Sequence, residues 1–166
     1  MGAKQSKANV ELIKLTDFDI DWTFSKGFEN KTDEIAIQKI QNLIDNATHL
    51  VFVFPNWWGT YPAILKGLFD RVFIPDFAYK YQKKSPFPIQ LLKGKTARLI
   101  MTMDTPILYY NIFYKRPGIN SLKKSVLNFC GVKPVKTTFF TPIKKSTDKK
   151  RDNWLIKTEE LGKRNG

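Results

Sequence analysis

The chain has 166 residues, of which 42% are hydrophobic, and its 28 Lys and Arg against 15 Asp and Glu give a formal net charge of +13. This composition supports one globular core, and we expect a single domain spanning residues 1–166. One cysteine, Cys130, and one histidine, His49, exclude internal disulfides, multi-cysteine metal sites and the usual histidine-based chemistries, so no metal is expected. No stretch approaches the roughly 20 apolar residues of a membrane span, and a reducing cytoplasmic setting fits best.

Charge is unevenly distributed along the chain. Residues 1–79 carry 8 basic and 10 acidic residues, whereas residues 80–166 carry 20 and 5. The lysines occur singly and in pairs, which favours a solvated surface, although attraction of nucleic acid or of a phosphorylated cofactor stays open. We do not expect nucleic acid as the partner. The start MGAKQS matches the pattern for myristoylation of Gly2, but we interpret it as an ordinary N-terminus and expect no stable membrane anchoring.

Strand and helix patterns alternate in the first half of the chain. Val10–Leu15 is predicted to be a short strand, and a helix is expected from Asp33, capped by Thr32, to Ala47. His49–Phe54 is almost wholly apolar, which is typical of a central parallel strand covered on both faces by helices. Pro62 is predicted to lie in the first turn of the next helix, where its missing N–H costs nothing.

The alternation continues to the C-terminus. Arg98–Thr102 and Val135–Phe140 are predicted strands, and between them a helix is expected to begin at Asn120 or Ser121 and to end at Gly131. A final helix is expected after Ser146 or Thr147, ending at Gly162 and burying Trp154, Leu155 and Leu161. This order predicts a three-layer α/β fold with a parallel sheet.

Ligands of such folds bind beyond the carboxyl ends of the strands. Trp57 and Trp58 lie at one such end, and residues 102–106 follow the next strand. The two tryptophans can simply pack over a helix end, as aromatic side chains often do. The alternative is a planar ligand, bonded by backbone N–H groups of the loop and closed on its other side by the segment after Met103.

The stretch PNWWGTYPAILKGLFDRVFIPDFAYKY, residues 55–81, resembles the NAD(P)H:quinone oxidoreductase family of flavodoxin-like proteins. The resemblance continues through LLKGKTARLIMTMDTP, PGINSLKKSVLNFCGVKPVK and KKRDNWLIKTEELGK, and so covers nearly the whole chain from about Val10. It implies a flavodoxin-like fold, a homodimer, and a flavin, FMN or FAD, that carries hydride from NADPH or NADH to a quinone or a similar acceptor. The lysine excess leans towards NADPH.

The resemblance also implies roles for particular residues. Two loops would hold the flavin ring, a tyrosine would assist hydride transfer, and two tyrosines of the neighbouring subunit would close the site. The residues that match the first loop are Pro55, Asn56, Trp57, Trp58 and Gly59; those that match the second are Thr102, Met103, Asp104 and Thr105; the tyrosines are Tyr110 for catalysis and Tyr79 and Tyr81 for closure. Packing or a dimer contact is the alternative for Tyr110, which lies in the aromatic run LYYNIFY.

The sequence departs from the family in two places. The glycine-rich loop and histidine of the family are replaced by Asp104, Thr105 and Pro106. The first strand, the phosphate loop and most of the first helix of the family are also not found, so the central strand of the 2-1-3-4-5 sheet is expected to be missing and tight flavin binding is in question. A non-catalytic, dimeric regulatory subunit is therefore the alternative function, and a nucleic-acid binder is the third.

Overall fold

The computed structural model describes residues 2–5, 8–23, 34–83 and 85–164. Three parallel strands form the sheet, in the order β1-β4-β5, and a separate antiparallel hairpin pairs β2 with β3. The strands are β1 (His49–Pro55), β2 (Tyr79–Gln82), β3 (Ser85–Gln90), β4 (Thr96–Thr102) and β5 (Val135–Phe140). The helices are α1 (Gly2–Gln5), α2 (Glu34–Asn46), α3 (Ala63–Val72), α4 (Ile107–Ile112), α5 (Pro117–Asn120), α6 (Asn128–Cys130) and α7 (Asp148–Lys163).

The predicted parallel sheet is confirmed. β4 lies in the centre of the sheet. It pairs with β1, where His49 lies opposite Thr96, and with β5, where Val135 lies opposite Ala97. Helices cover both faces, since Phe52 of β1 contacts Phe69 of α3 on one side and α7 packs on the other. The fold is therefore the three-layer α/β arrangement that the alternation of elements predicts.

Local signals in the sequence explain where the helices begin and end. Pro62 directly precedes α3, and Thr147 caps α7 by accepting a hydrogen bond from the N–H of Lys150. Gly131, with φ of +100°, ends the α5–α6 segment in the left-handed conformation that glycine adopts without strain. The described helix α2 buries Ile37, Ile40 and Ile44, which lie on one face at helical spacing. Thr32 and Asp33 lie outside the described residues.

Two strand predictions are wrong. Val10–Leu15 forms no strand and instead runs as irregular chain into a short 3-10 turn, Leu15–Asp17, because no strand edge among the described residues pairs with it. β1 is not a central strand covered on both faces. In the described part of the chain it lies at the edge of the sheet, and its Val51 and Val53 side chains are 51% and 68% exposed.

Two helix predictions need correction. The helix expected from Asn120 or Ser121 begins at Pro117, and its middle, Ser121–Leu127, is π-helical rather than α-helical. The final helix continues to Lys163, past Gly162. It leaves Leu155 69% exposed and Trp154 and Leu161 only partly covered, because α7 contacts the rest of the molecule along a narrow face. No helix in the described part of the chain is both long and apolar enough to cross a membrane.

Candidate functional site

A sharp turn follows β1 and projects one tryptophan into solvent. The N–H of Asn56 donates to the carbonyl of Thr102 over 2.7 Å, which continues the pairing with β4, and Trp57 and Thr60 then exchange two backbone hydrogen bonds. The two residues that lie between Trp57 and Thr60 have positive φ angles, 51° for Trp58 and 79° for Gly59. The indole of Trp58 is fully exposed, although a bulky residue with positive φ is strained. The turn therefore presents an aromatic ring and backbone groups at the carboxyl end of the sheet.

The segment after β4 forms the facing wall. The N–H of Met103 donates to the carbonyl of Phe140, which keeps Met103 inside the core. The carbonyl of Thr105 accepts a 2.6 Å hydrogen bond from the Thr141 hydroxyl, and the carboxylate of Asp104 accepts one of 2.6 Å from the backbone N–H of Lys144. The loop after β5 thus fixes Asp104 and Thr105 in place beside the turn.

A third side comes from the end of α4 and the start of α5. Phe113 and Tyr114 follow α4, and the next two residues, Lys115 and Arg116, both have positive φ, 55° and 53°. The carbonyl of Lys115 accepts a 2.5 Å hydrogen bond from the Asn120 side chain, which holds this unusual turn. Backbone strain of this kind is often found at functional sites.

The three segments enclose an open cleft of about 630 Å³. Its walls are Asn56, Trp58, Gly59, Asp104, Thr105, Phe113, Tyr114 and Pro117. Five of the nine residues predicted for the flavin loops line it. The other four, Pro55, Trp57, Thr102 and Met103, do not line it and instead carry the backbone of the two loops. Three lining residues were missed, although the run LYYNIFY marks two of them as aromatic side chains close to the site.

Tyr110 lies inside the core rather than in the cleft wall. Its side chain is fully buried, and its hydroxyl donates to the carbonyl of Gly59 over 3.2 Å. Burial raises the pKa of this phenol, an effect that the N–H groups of Ile119 and Gly118 and the Arg116 charge partly oppose, so the hydroxyl stays a donor at neutral pH. In this position Tyr110 holds the turn that presents Trp58, and its catalytic role stays a prediction.

Removing the Tyr110 hydroxyl tests these two roles. We expect Tyr110→Phe to lower the free energy of unfolding by about 1 kcal/mol, because the Gly59 carbonyl loses its donor, and to weaken ring binding only moderately. Urea unfolding and ligand titration measure these changes. A loss of turnover of tenfold or more with unchanged stability and binding would instead support a direct part in the chemistry.

Tyr79 and Tyr81 lie away from the cleft, on the β2–β3 hairpin. Their rings contact each other at 5.3 Å, and that of Tyr79 contacts Phe129 at 5.0 Å. Tyr79 lines a separate pocket of about 230 Å³ beside α3, whereas Tyr81 is exposed. Tyr79 and Tyr81 therefore do not close the cleft of their own chain. The resemblance implies that they close the cleft of a neighbouring subunit, and this role stays a prediction.

Hydrogen-bonding groups in the cleft fit a flat, heteroatom-rich ligand. The Oδ1 atom of Asn56 is buried yet has no hydrogen-bond partner in the structure. Over the described residues, the N–H groups of Trp58 and Gly59 also form no hydrogen bond. An unpartnered buried acceptor costs about 1–3 kcal/mol, so a ligand that donates to Asn56 and accepts from the turn would be stabilised here. The edge of a flavin ring carries both kinds of group.

Comparison with known proteins identifies the family. A family described as having the flavodoxin-like fold matches residues 2–161. The chain therefore belongs to the flavodoxin-like fold family, and the fold and family predicted from the sequence are confirmed.

Curated relatives carry oxidoreductase names. The chain is 34% identical over 116 residues to an uncharacterized NAD(P)H oxidoreductase of Haemophilus influenzae, covering 69% of this chain and 56% of that protein. It is 33% identical over 140 residues to the ribosyldihydronicotinamide dehydrogenase [quinone] of Homo sapiens, covering 72% and 58%. The chain thus spans about half the length of the curated relatives it matches.

Solved structures share the fold. Smu.1420 from Streptococcus mutans superposes with a TM-score of 0.69 at 38% identity, over 78% of this chain and 66% of that one. An FMN-dependent NADH-azoreductase from Bacillus anthracis, crystallised with FMN, superposes with a TM-score of 0.77 over 98% and 85%, at 20% identity. The second likeness concerns the fold alone.

Proposed function

We propose that this protein is a flavin-dependent NAD(P)H oxidoreductase whose cleft holds the ring of FMN or FAD. The observation that carries the proposal is the buried, unpartnered Oδ1 of Asn56 beside the exposed Trp58, at the carboxyl end of the parallel sheet. A bound flavin would supply hydride transfer from NADPH or NADH to a quinone or similar acceptor. The oxidoreductase names of the relatives support this reaction class.

The residues of the cleft have distinct tasks under this proposal. Asn56 would accept a hydrogen bond from the ring edge, and the N–H groups of Trp58 and Gly59 would donate to that edge. These donors would stabilise negative charge on the edge of a reduced flavin ring, because fixed dipoles need no reorganisation during the reaction. The Trp58 indole would contact the ring, and Asp104 and Thr105 would hold it from the other loop that lines the cleft.

Three basic residues neighbour residues that line the cleft, two in the chain and one by an ion pair. Lys115 and Arg116 follow Tyr114, and the Lys144 ammonium lies 3.9 Å from the Asp104 carboxylate while staying exposed. Positive charge near a cleft attracts anionic partners. We therefore expect the protein to prefer NADPH, which carries an additional phosphate, over NADH. The proposed setting is the cytoplasm, where both donors occur.

A homodimer is part of the proposal. Large apolar side chains are exposed on α4 and just after it, beside the cleft: Leu108, Tyr109, Ile112, Phe113 and Tyr114. Contiguous apolar surface of this kind marks contact sites. A second copy on this surface would bring its own aromatic side chains to the cleft, and Tyr79 and Tyr81 are the residues that we assign to this closure.

The proposal is tested by following NADPH and NADH oxidation in the presence of FMN or FAD and a soluble quinone. We expect oxidation that requires added flavin and that stops when the quinone is left out under anaerobic conditions. An Asn56→Ala variant should bind flavin less tightly, because the ring edge loses an acceptor. Flavin binding without turnover would support a regulatory subunit instead, and the absence of both would contradict the proposal.

A further inference from the structure

An acidic residue lies in the wall of the cleft. Among the described residues that line the cleft, Asp104 alone carries a formal charge. The whole chain has 28 basic residues against 15 acidic ones, so a wall whose single charge is negative runs against the composition. A charge on the wall of a cleft attracts ligands of opposite sign and disfavours those of like sign. Asp104 is therefore placed to affect which ligands the cleft binds.

A backbone contact fixes the Asp104 carboxylate and leaves one of its oxygens available. Oδ1 accepts a 2.6 Å hydrogen bond from the N–H of Lys144. Oδ2 lies 3.9 Å from the Lys144 ammonium, which is beyond hydrogen-bond distance, and the Lys144 side chain is 86% exposed. The carboxylate has no other partner among the described residues. Water screens an exposed ion pair of this length, so Oδ2 retains its attraction for a positively charged ligand.

Aromatic side chains form another part of the cleft wall. Phe113 and Tyr114 line the cleft and are 69% and 46% exposed. Tyr109 supports both rings, because it stacks on Phe113 with the ring centroids 4.7 Å apart and meets the Tyr114 ring edge-on at 5.3 Å. A cation that lies over an aromatic ring is attracted by the negative face of that ring. The aromatic rings and the Asp104 carboxylate therefore favour the same sign of ligand charge.

The basic residues near the cleft do not cancel this preference, because none of those described belongs to its wall. The guanidinium of Arg116 lies over the Phe139 ring, 5.9 Å from its centroid, and the Lys115 side chain is exposed. Salt screens exposed charges over about 8 Å at physiological ionic strength. These charges are placed to attract phosphate groups outside the wall. A ligand that matches both regions has anionic phosphates at one end and a positively charged ring at the other.

We propose that Asp104 is a specificity-determining residue that makes the cleft select flat rings by charge, with cationic rings preferred over neutral ones and neutral rings over anionic ones. The pyridinium ring of an oxidised nicotinamide nucleotide is such a cation, and its phosphates suit the basic residues outside the wall. The inference rests on the proposed function for this choice of ring, whereas the charge preference follows from the cleft itself. Acceptors that carry a carboxylate or a sulfonate on the ring are expected to be poor substrates for the same reason.

Three rings of nearly the same shape test the charge preference. At neutral pH 1-methylnicotinamide is a cation, nicotinamide is neutral and nicotinate is an anion. Binding of each to the purified protein is followed by the quenching of tryptophan fluorescence, because Trp58 lines the cleft. We expect the affinity to fall in that order, by about fivefold at each step. The differences should shrink at high salt, since salt screens the interaction between charges.

Asp104→Asn removes the charge and keeps an oxygen that accepts from the Lys144 N–H, so the loop should stay in place. The affinity for 1-methylnicotinamide should fall about fivefold, that for nicotinate should rise, and that for nicotinamide should change less than about twofold. Asp76→Asn is the matched control, because it makes the same change in net charge at an exposed site outside the cleft wall, and it should keep the wild-type affinities. Equal affinities of the folded wild type for the three rings, or an unchanged order in folded Asp104→Asn, would overturn the proposal.

Titrations with and without FMN separate this inference from the proposed function. Because a backbone contact within the chain holds Asp104, the order of affinities should be the same in both titrations. Loss of FMN on desalting, with the order of affinities preserved, would contradict the proposed function and support the charge preference. Retained FMN with equal affinities for the three rings would overturn the charge preference and leave the flavin site standing.

Discussion

Trp58→Ala is expected to weaken flavin binding by at least tenfold while changing the free energy of unfolding by less than about 0.5 kcal/mol. The indole is fully exposed in the structure, so its removal takes away almost no buried contact with the protein. Aromatic contact with a ring contributes about 0.5–1.5 kcal/mol beyond its buried area, and each 1.4 kcal/mol is about tenfold in affinity. Titration with FMN, followed by flavin fluorescence, and urea unfolding give the two numbers.

Trp57→Ala is the matched control for this change. Trp57 is the neighbouring residue, is 59% exposed and does not line the cleft, so its loss should leave flavin affinity within a few fold of the wild type. Equal losses of binding in the two variants would point to the fold of the turn rather than to ring contact. A large loss of stability in Trp58→Ala would favour the alternative that this indole packs against protein.

Gly118→Ala is expected to disrupt both stability and the cleft. A Cβ atom at this position would lie 2.7 Å from Cα of Thr60, a backbone atom that cannot rotate away. Either α5 or the Trp58 turn must shift, at a cost of about 1–3 kcal/mol. Because Pro117 and Gly59 line the cleft on either side of this contact, flavin affinity should fall along with the urea midpoint.

Gly94→Ala separates these two effects. Gly94 has φ of +85° with nothing within 4 Å, so alanine there brings backbone strain of about 1–2 kcal/mol without touching the cleft. We expect it to lower stability and to leave flavin affinity unchanged. If Gly118→Ala and Gly94→Ala were alike in both measurements, the close approach of α5 to the turn would have no part in forming the site.

Sequence reasoning was most successful where one local signal decides the structure. The strand patterns of Arg98–Thr102 and Val135–Phe140 predict β4 and β5, Pro62 and Thr147 place the starts of α3 and α7, and Gly131 ends its helix. Trp58 was placed at the ligand end of the sheet from chain direction alone. These features depend on neighbours in sequence or on the rules of parallel sheets.

The errors concern features that depend on distant partners. VELIKL has the pattern of a strand, but a strand forms only beside another strand, and no described strand pairs with it. The apolar run of β1 indicated burial on both faces, whereas Val51 and Val53 are exposed. In the site, the burial of Tyr110 beneath Gly59 and the approach of Phe113 and Tyr114 follow from how α4 packs, which spacing along the chain does not reveal.

The most direct test of the flavin site is a visible absorption spectrum of the purified protein after incubation with FMN or FAD and desalting. The flavin bands should be retained by the wild type, and their amount should fall in Trp58→Ala and stay near wild type in Trp57→Ala. A folded wild-type protein that passes through desalting without flavin absorption would contradict the central claim that the cleft is a flavin site.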